Sequence, residues 1–275
     1  MGVIMNEKTL YLECYSGISG DMTVAALLDL GADQKVLMDG LDSLNVDGYK
    51  IKISQKDKSG LAACDFDVIL EKDEENELSD NSDNINSIVP SQEHLHVHLG
   101  FHENRNLYDI NAIIDNSNIS DDAKKTAKKI FYIDAIAEAK AHGKPLDKVY
   151  FHELGAVDSI VDIVSAAICL DNLGIKEVVI TELHDGNGHI KCRNGKLPVP
   201  VPAVVNIVAD YKIPLHITNI NGELVTPTGA AIAAAIRTKD KLPKEFKIIK
   251  AGLGAGKRIY EQPSILRAMI IEELL

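Results

Sequence analysis

Four of the nine histidines fall between positions 94 and 102. In an extended chain the period of two puts His94, His96 and His98 on one face and Leu95, Val97 and Leu99 on the other. Neutral imidazoles aimed one way form a ready site for a borderline-soft divalent metal, and short histidine tracts are a compositional metal signal. His102 or Glu103, returning across Gly100, could add a further ligand. The spacing does not choose the metal, and a solvated polar loop is the alternative.

A second polar constellation is Phe151-His152-Glu153-Leu154-Gly155-Ala156-Val157-Asp158-Ser159-Ile160-Val161-Asp162. On a helix Asp158 and Asp162 lie one turn apart on one face, with His152 and Glu153 just before the first turn. A histidine and three carboxylates at such a place could hold a metal or move protons. The apolar frame puts these acids at the edge of a core, where pKa shifts are expected. Alternatively, Asp158 only caps the helix and Asp162 is a surface acid.

Three glycine-containing segments could hold an anion. Gly17-Ile18-Ser19-Gly20-Asp21 follows a strand and opens a helix, so its N–H groups could face a phosphate. Thr226-Pro227-Thr228-Gly229 also opens a helix and offers two hydroxyls. Gly252-Leu253-Gly254-Ala255-Gly256-Lys257 superficially suggests a P-loop, but Arg258 stands where Ser or Thr is required. Tight turns that need glycine would look the same. A Ser-His-Asp hydrolase has little support, because no G-x-S-x-G elbow is present.

The elements that must position these residues read as a mixed α/β sheet covered by helices. Strands are expected at Thr9–Cys14, Tyr49–Ser54, Leu61–Leu70, Glu177–Leu183, Pro214–Thr218, Phe246–Ala251 and Ile265–Ile271. Helices are expected at Asp21–Leu30, Asp33–Leu44, Leu107–Ile114, Ser120–His142, Gly155–Leu173, from Pro202 to near Asp210, and Ala230–Ile236. Asp185–Lys196 reads as a glycine-punctuated loop, and Gly252–Gly256 as a turn between the last two strands. Residues 71–106 read as a flexible acidic and histidine-containing insertion.

The net charge of −12 argues against binding a phosphate backbone, so no nucleic-acid partner is expected. It suits cationic ligands, metal ions among them. The four cysteines are scattered with no C-x-x-C pair, which fits a reducing cytoplasm and excludes zinc-ribbon and thioredoxin-type sites. No apolar run approaches a membrane span.

Taken together, the motifs resemble the LarC family of nickel-insertion proteins. The resemblance is carried by Gly17-Ile18-Ser19-Gly20-Asp21-Met22, the histidine run, the Phe151–Asp162 segment, Leu197-Pro198-Val199-Pro200, Gly222-Glu223-Leu224-Val225-Thr226-Pro227-Thr228-Gly229-Ala230-Ala231, Gly252–Gly256 and Leu266-Arg267. It implies a nickel chelatase, a lyase, that inserts nickel into a pyridinium-3,5-bisthiocarboxylic acid mononucleotide. The implied product is the nickel-pincer cofactor of lactate racemase, in which nickel is held through two sulfurs and a ring carbon. CTP and manganese are implied as cofactors, associated with a C-terminal domain beyond residue 275. That domain, the racemase and further copies of the chain are the expected partners. Asn194-Gly195 stands where the family pattern suggests His-Gly.

The reaction's demands map onto residues. His94, His96, His98 and His102 are expected to collect nickel. Glu153 or His152, near Asp158, is expected to take the ring proton. Gly17, Ser19, Gly20 and Asp21, or Thr226 and Thr228, are expected to hold the phosphate. A non-catalytic nickel carrier and a metal-dependent hydrolase are the rival readings.

Overall fold

In a computed structural model of the chain, the described residues are 8–70, 105–148, 157–192 and 195–274. The histidine run at 94–102, most of the expected 71–106 insertion, His152, Glu153 and Asn194 lie outside them.

The chain opens with β1 (Thr9–Glu13), α1 (Gly20–Asp29), α2 (Gln34–Asp42), β2 (Tyr49–Lys58) and β3 (Leu61–Leu70). There follow α3 (Leu107–Asn116), α4 (Asp121–His142), α5 (Val157–Asn172), β4 (Glu177–Val179), β5 (Leu183–Asn187), β6 (His189–Cys192) and β7 (Gly195–Pro198). The chain closes with α6 (Pro202–Asp210), β8 (Leu215–Asn221), α7 (Pro227–Ile236), β9 (Phe246–Ala255) and β10 (Ile265–Glu273).

The helix starts follow from local chemistry. Ser19, Asp33, Asn106, Ser120 and Thr226 are the N-caps of α1, α2, α3, α4 and α7, each accepting a first-turn N–H that would otherwise lack a partner. Asn106 and Asp109 form a reciprocal capping box. Gly143, at φ +62°, closes α4 in the left-handed region.

The main sheet is mixed and has the order β2-β3-β9-β10-β1-β4. β1 runs antiparallel to β10 and parallel to β4. The β2–β3 hairpin joins β9 in parallel through one backbone pairing, Cys64 with Gly254. Two small two-stranded sheets stand apart, β5 parallel to β8 and β6 antiparallel to β7.

Strand alternation divides the sheet faces. Leu10, Leu12 and Cys14 on β1 and its continuation, with Leu266 and Ala268 on β10, enter the main core, where α1 buries most of its side chains and α5 buries Ile160, Val161 and Ile163–Leu170. α4 packs outside α5 and against α6 and α7. On the opposite sheet face Tyr11, Val179, Met269 and Ile271 form a small cluster with Leu242 and Phe246.

Three expected boundaries are corrected. Glu177–Leu183 is two strands, because the backbone of Ile180 turns aside to Lys239 (N–H···O 3.2 Å) before β5 begins at Leu183. Asp185–Lys196 is not an open loop, since β5, β6 and β7 run through it. Gly252–Ala255 belongs to β9, and its glycines serve the approach of α1. A Cβ on Gly254 would lie 2.0 Å from Met22 O, and one on Gly252 would lie 2.4 Å from Leu30 N. Only a bare backbone lets helix and strand come that close.

Candidate functional site

The chain leaves β1 into the Gly17–Gly20 turn. Gly17 has φ +89°, and its N–H donates to Cys14 O at 3.2 Å. A Cβ there would meet Leu224 O at 2.1 Å. The next residue pairs with the segment before α7: Ile18 N–H donates to Leu224 O (3.0 Å), and Thr226 N–H donates to Ile18 O (3.1 Å). The two turns expected to hold an anion are thus brought side by side. Thr226 Oγ1 accepts Gly229 N–H at 3.0 Å, and a Cβ on Gly229 would lie 2.2 Å from Ile18 O.

Carboxylates crowd the start of α1. Asp21 Oδ1 accepts Met22 N–H at 2.9 Å and the Ser19 hydroxyl. Asp162 accepts the backbone N–H of Asp21, and its Oδ2 would be 2.6 Å from a Cβ on Gly20. Asp162 Oδ1 is buried without a hydrogen-bond partner among the described residues. Burial pushes the Asp162 carboxyl well above the usual carboxylate range, and the charges of Asp21 and Asp158 push it further. Asp21 is raised as well, chiefly by burial, against the pull of Ser19 and Lys257. Carboxyls raised in this way keep a proton to higher pH than an exposed aspartate would.

Lys257 sets the other side of the site. Its Nζ donates to Asp65 Oδ1 (2.8 Å) and Phe66 O (2.9 Å), and it lies 3.1 Å from Asp67. Asp65, 1% exposed, also pairs with Lys56 at 2.9 Å. Burial works against the charge of Asp65, yet the two lysines hold its carboxyl below the usual range. The same acids, with Asp21, hold Lys257 charged in spite of its own burial.

A further buried acid shapes the backbone nearby. Asp185 Oδ1 accepts N–H groups from Gly186 (2.7 Å), Leu224 (2.8 Å) and Val225 (3.1 Å). Glu223, next in line, is tied to Arg258 at 2.8 Å, and its carbonyl accepts from Tyr260 at 2.9 Å. The segment from Gly222 to Thr226 is therefore clamped on both sides.

The structure unites Gly17, Ser19, Gly20, Asp21 and Thr226 around one junction and brings Asp162 onto it. Asp158 sits at the start of α5, one turn before Asp162, with its Oδ1 accepting Ser159 N–H at 2.9 Å. Thr228 lies in the first turn of α7. Sequence reasoning missed Asp65, Asp185 and the pairing of Lys257 with Asp65. The available signal was an acid in an apolar strand, Ala63-Cys64-Asp65-Phe66, which must find a cation when buried. Among the described residues no group of three or more His, Cys, Asp or Glu is placed to hold a metal ion, so the manganese that the resemblance implies has no such cradle there. No helix among the described residues is long and apolar enough to cross a membrane.

A mixed sheet covered by helices on one face, with charged groups gathered where β1 gives way to α1, defines the protein class in structural terms. The sequence places it further: residues 10–274 match the family described as "Nickel insertion protein", and the chain belongs to that family. It is 58% identical over 264 residues to the "pyridinium-3,5-bisthiocarboxylic acid mononucleotide nickel insertion protein" of Alkaliphilus metalliredigens, covering 96% of this chain and 60% of that protein. Proteins of the same name from Acetivibrio thermocellus and Clostridium acetobutylicum are each 42% identical, over 96% and 97% of this chain and 60% and 64% of theirs. The chain thus spans somewhat under two thirds of the length of these relatives. No solved structure matches it.

Proposed function

We propose that this chain binds nickel and takes part in inserting it into a pyridinium-3,5-bisthiocarboxylic acid mononucleotide, the substrate in its relatives' names. The observation that carries this reading is the family match across residues 10–274. Nickel is cargo here, so it must be held loosely enough to move on, and imidazoles suit that task. His94, His96, His98 and His102 are the proposed collectors. As the nickel–carbon bond forms, the ring C–H bond breaks and leaves its electron pair to the metal, and a base takes the proton. Glu153 or His152, in sequence just ahead of Asp158, is the proposed base. The Asp21–Asp162 pair is proposed as a proton store for that base, since both carboxyls are raised and coupled. The mononucleotide phosphate is proposed to sit at this junction, and because the carboxylates of α1 count against an anion directly on Gly17–Asp21, Thr226 and Thr228 are its proposed contacts. The lyase class, CTP and manganese dependence, and delivery of the product to lactate racemase belong to the same proposal.

The test is to incubate the chain with nickel and the mononucleotide, with and without CTP and manganese, and follow product by mass. Glu153→Gln should keep nickel binding while slowing product formation by about 100-fold or more, the usual scale for a lost acid–base group. Unchanged rates in Glu153→Gln, His152→Gln and Asp162→Asn alike would remove the acid–base assignment. Nickel uptake with no product under any condition would leave a carrier.

A further inference from the structure

The β5–β8 ladder holds a histidine pair that the sequence reading passed over. His184 on β5 and His216 on β8 are register partners in a parallel ladder, so their side chains leave the same face side by side. Their ring centroids are 4.6 Å apart at an interplanar angle of 33°. Tyr15, at the end of β1, flanks His184 at 4.9 Å. His184 Nε2 is buried without a hydrogen-bond partner among the described residues, and the nearest carboxylate oxygen, on Glu182, is 3.4 Å away. His216 is exposed. His184 N–H lies 3.3 Å from Cys14 O, so the pair stands at the same end of β1 as the Gly17–Gly20 turn.

We propose that His184 and His216 form a two-imidazole site for a divalent transition-metal ion, with Glu182 beside it. Two imidazole nitrogens on one ion, each bonded at about 2.1 Å, lie roughly 3 Å apart, a separation open to rings this close. In the neutral tautomer that carries its proton on Nδ1, His184 Nε2 offers its lone pair to a Lewis acid without giving up a hydrogen bond. Two protein donors leave most of the coordination sphere to water, and then to a thiocarboxylate that displaces it. That is the coordination a delivery site needs and a storage site does not. The choice of nickel rests on the function proposed above; the site itself rests on the geometry alone.

The test uses the whole chain with His94, His96, His98 and His102 replaced by Ala, titrated with nickel chloride and observed by NMR of ring-labelled histidine. The expected result is one remaining nickel equivalent, with the His184 and His216 signals broadened first. Adding His184→Gln and His216→Gln should weaken that binding more than about 100-fold, the upper figure for losing even a residue that only orients a metal ligand. His216→Gln alone, at an exposed position, should weaken it too and guards against misfolding as the cause. No residual binding in the first variant, or equal binding after both glutamine substitutions, overturns the site. Nickel on these rings without any product from the mononucleotide would keep the site and remove the insertion reading instead.

Discussion

The chain has two glycine-rich segments that look alike on paper and do opposite things. Gly17–Gly20 is a turn: Gly17 takes φ +89°, and the N–H groups of Asp21 and Met22 just after it are taken up by carboxylates. Gly252–Ala255 is strand, and there the missing side chains of Gly252 and Gly254 let α1 lie against the sheet backbone. One segment needs glycine for its dihedral angles as well as its space, the other for space alone. The difference shows that a glycine motif suggests a phosphate only after the neighbours of its N–H groups are known.

The sharpest way to break this contrast is Gly254→Ala. The new methyl would sit 2.0 Å from Met22 O and 2.6 Å from Ala26 N, between a helix and a strand that neighbours hold in place. A loss of about 4 kcal/mol or more is expected in urea unfolding, beyond the usual range for overpacking. Gly17→Ala should cost less, about 2–3 kcal/mol, because the turn can give on its own side of the contact although Leu224 is clamped on the other. Should the two rank in reverse, dihedral strain outweighs helix–strand contact. Asp65→Asn should destabilise by about 2 kcal/mol; both partner lysines reach water, so the effect falls short of a fully buried pair. Thr226→Ala, which removes only a cap, should cost about 1 kcal/mol.

pH separates the two kinds of acid at the site. Asp162 and Asp21 have raised folded pKa values, so the native state binds more protons than the unfolded chain above the ordinary value of 3.8. Their contribution to stability is greatest below that value and falls as pH rises through the folded pKa. Asp65 is held low, so its contribution is present above 3.8 and is lost on acidification through its folded pKa. Asp162→Asn should therefore flatten the decline in melting temperature toward high pH, while Asp65→Asn should flatten the loss toward low pH. Identical pH profiles for the two variants would contradict the division.

Much of the fold was legible because it is written in local chemistry. Ser120 with Asp121 and Asp122 at one end and Gly143 at the other bound α4 correctly, and Lys58-Ser59-Gly60 marked the β2–β3 hairpin. The failures share a cause. β9 continues through Gly252–Ala255 only because a helix more than two hundred residues earlier packs on it, and no local pattern carries that. Asp162 was readable either as a surface acid or as a partner in chemistry; its burial comes from Gly20, distant in the chain. The His184–His216 pair is invisible until β5 and β8 are known to be neighbours.

The meeting of Cys64 with Gly254 has a mechanical consequence. Along that seam the backbone ladder contributes almost nothing, so the β2–β3 hairpin is tethered by α1 lying across it and by Lys257 gripping Asp65. The hairpin is a flap with a helical strap and an ionic latch. Its amides should exchange with solvent as one unit, earlier than those of β1 and β10, and the Asp65→Asn change should release that unit while leaving the central strands protected.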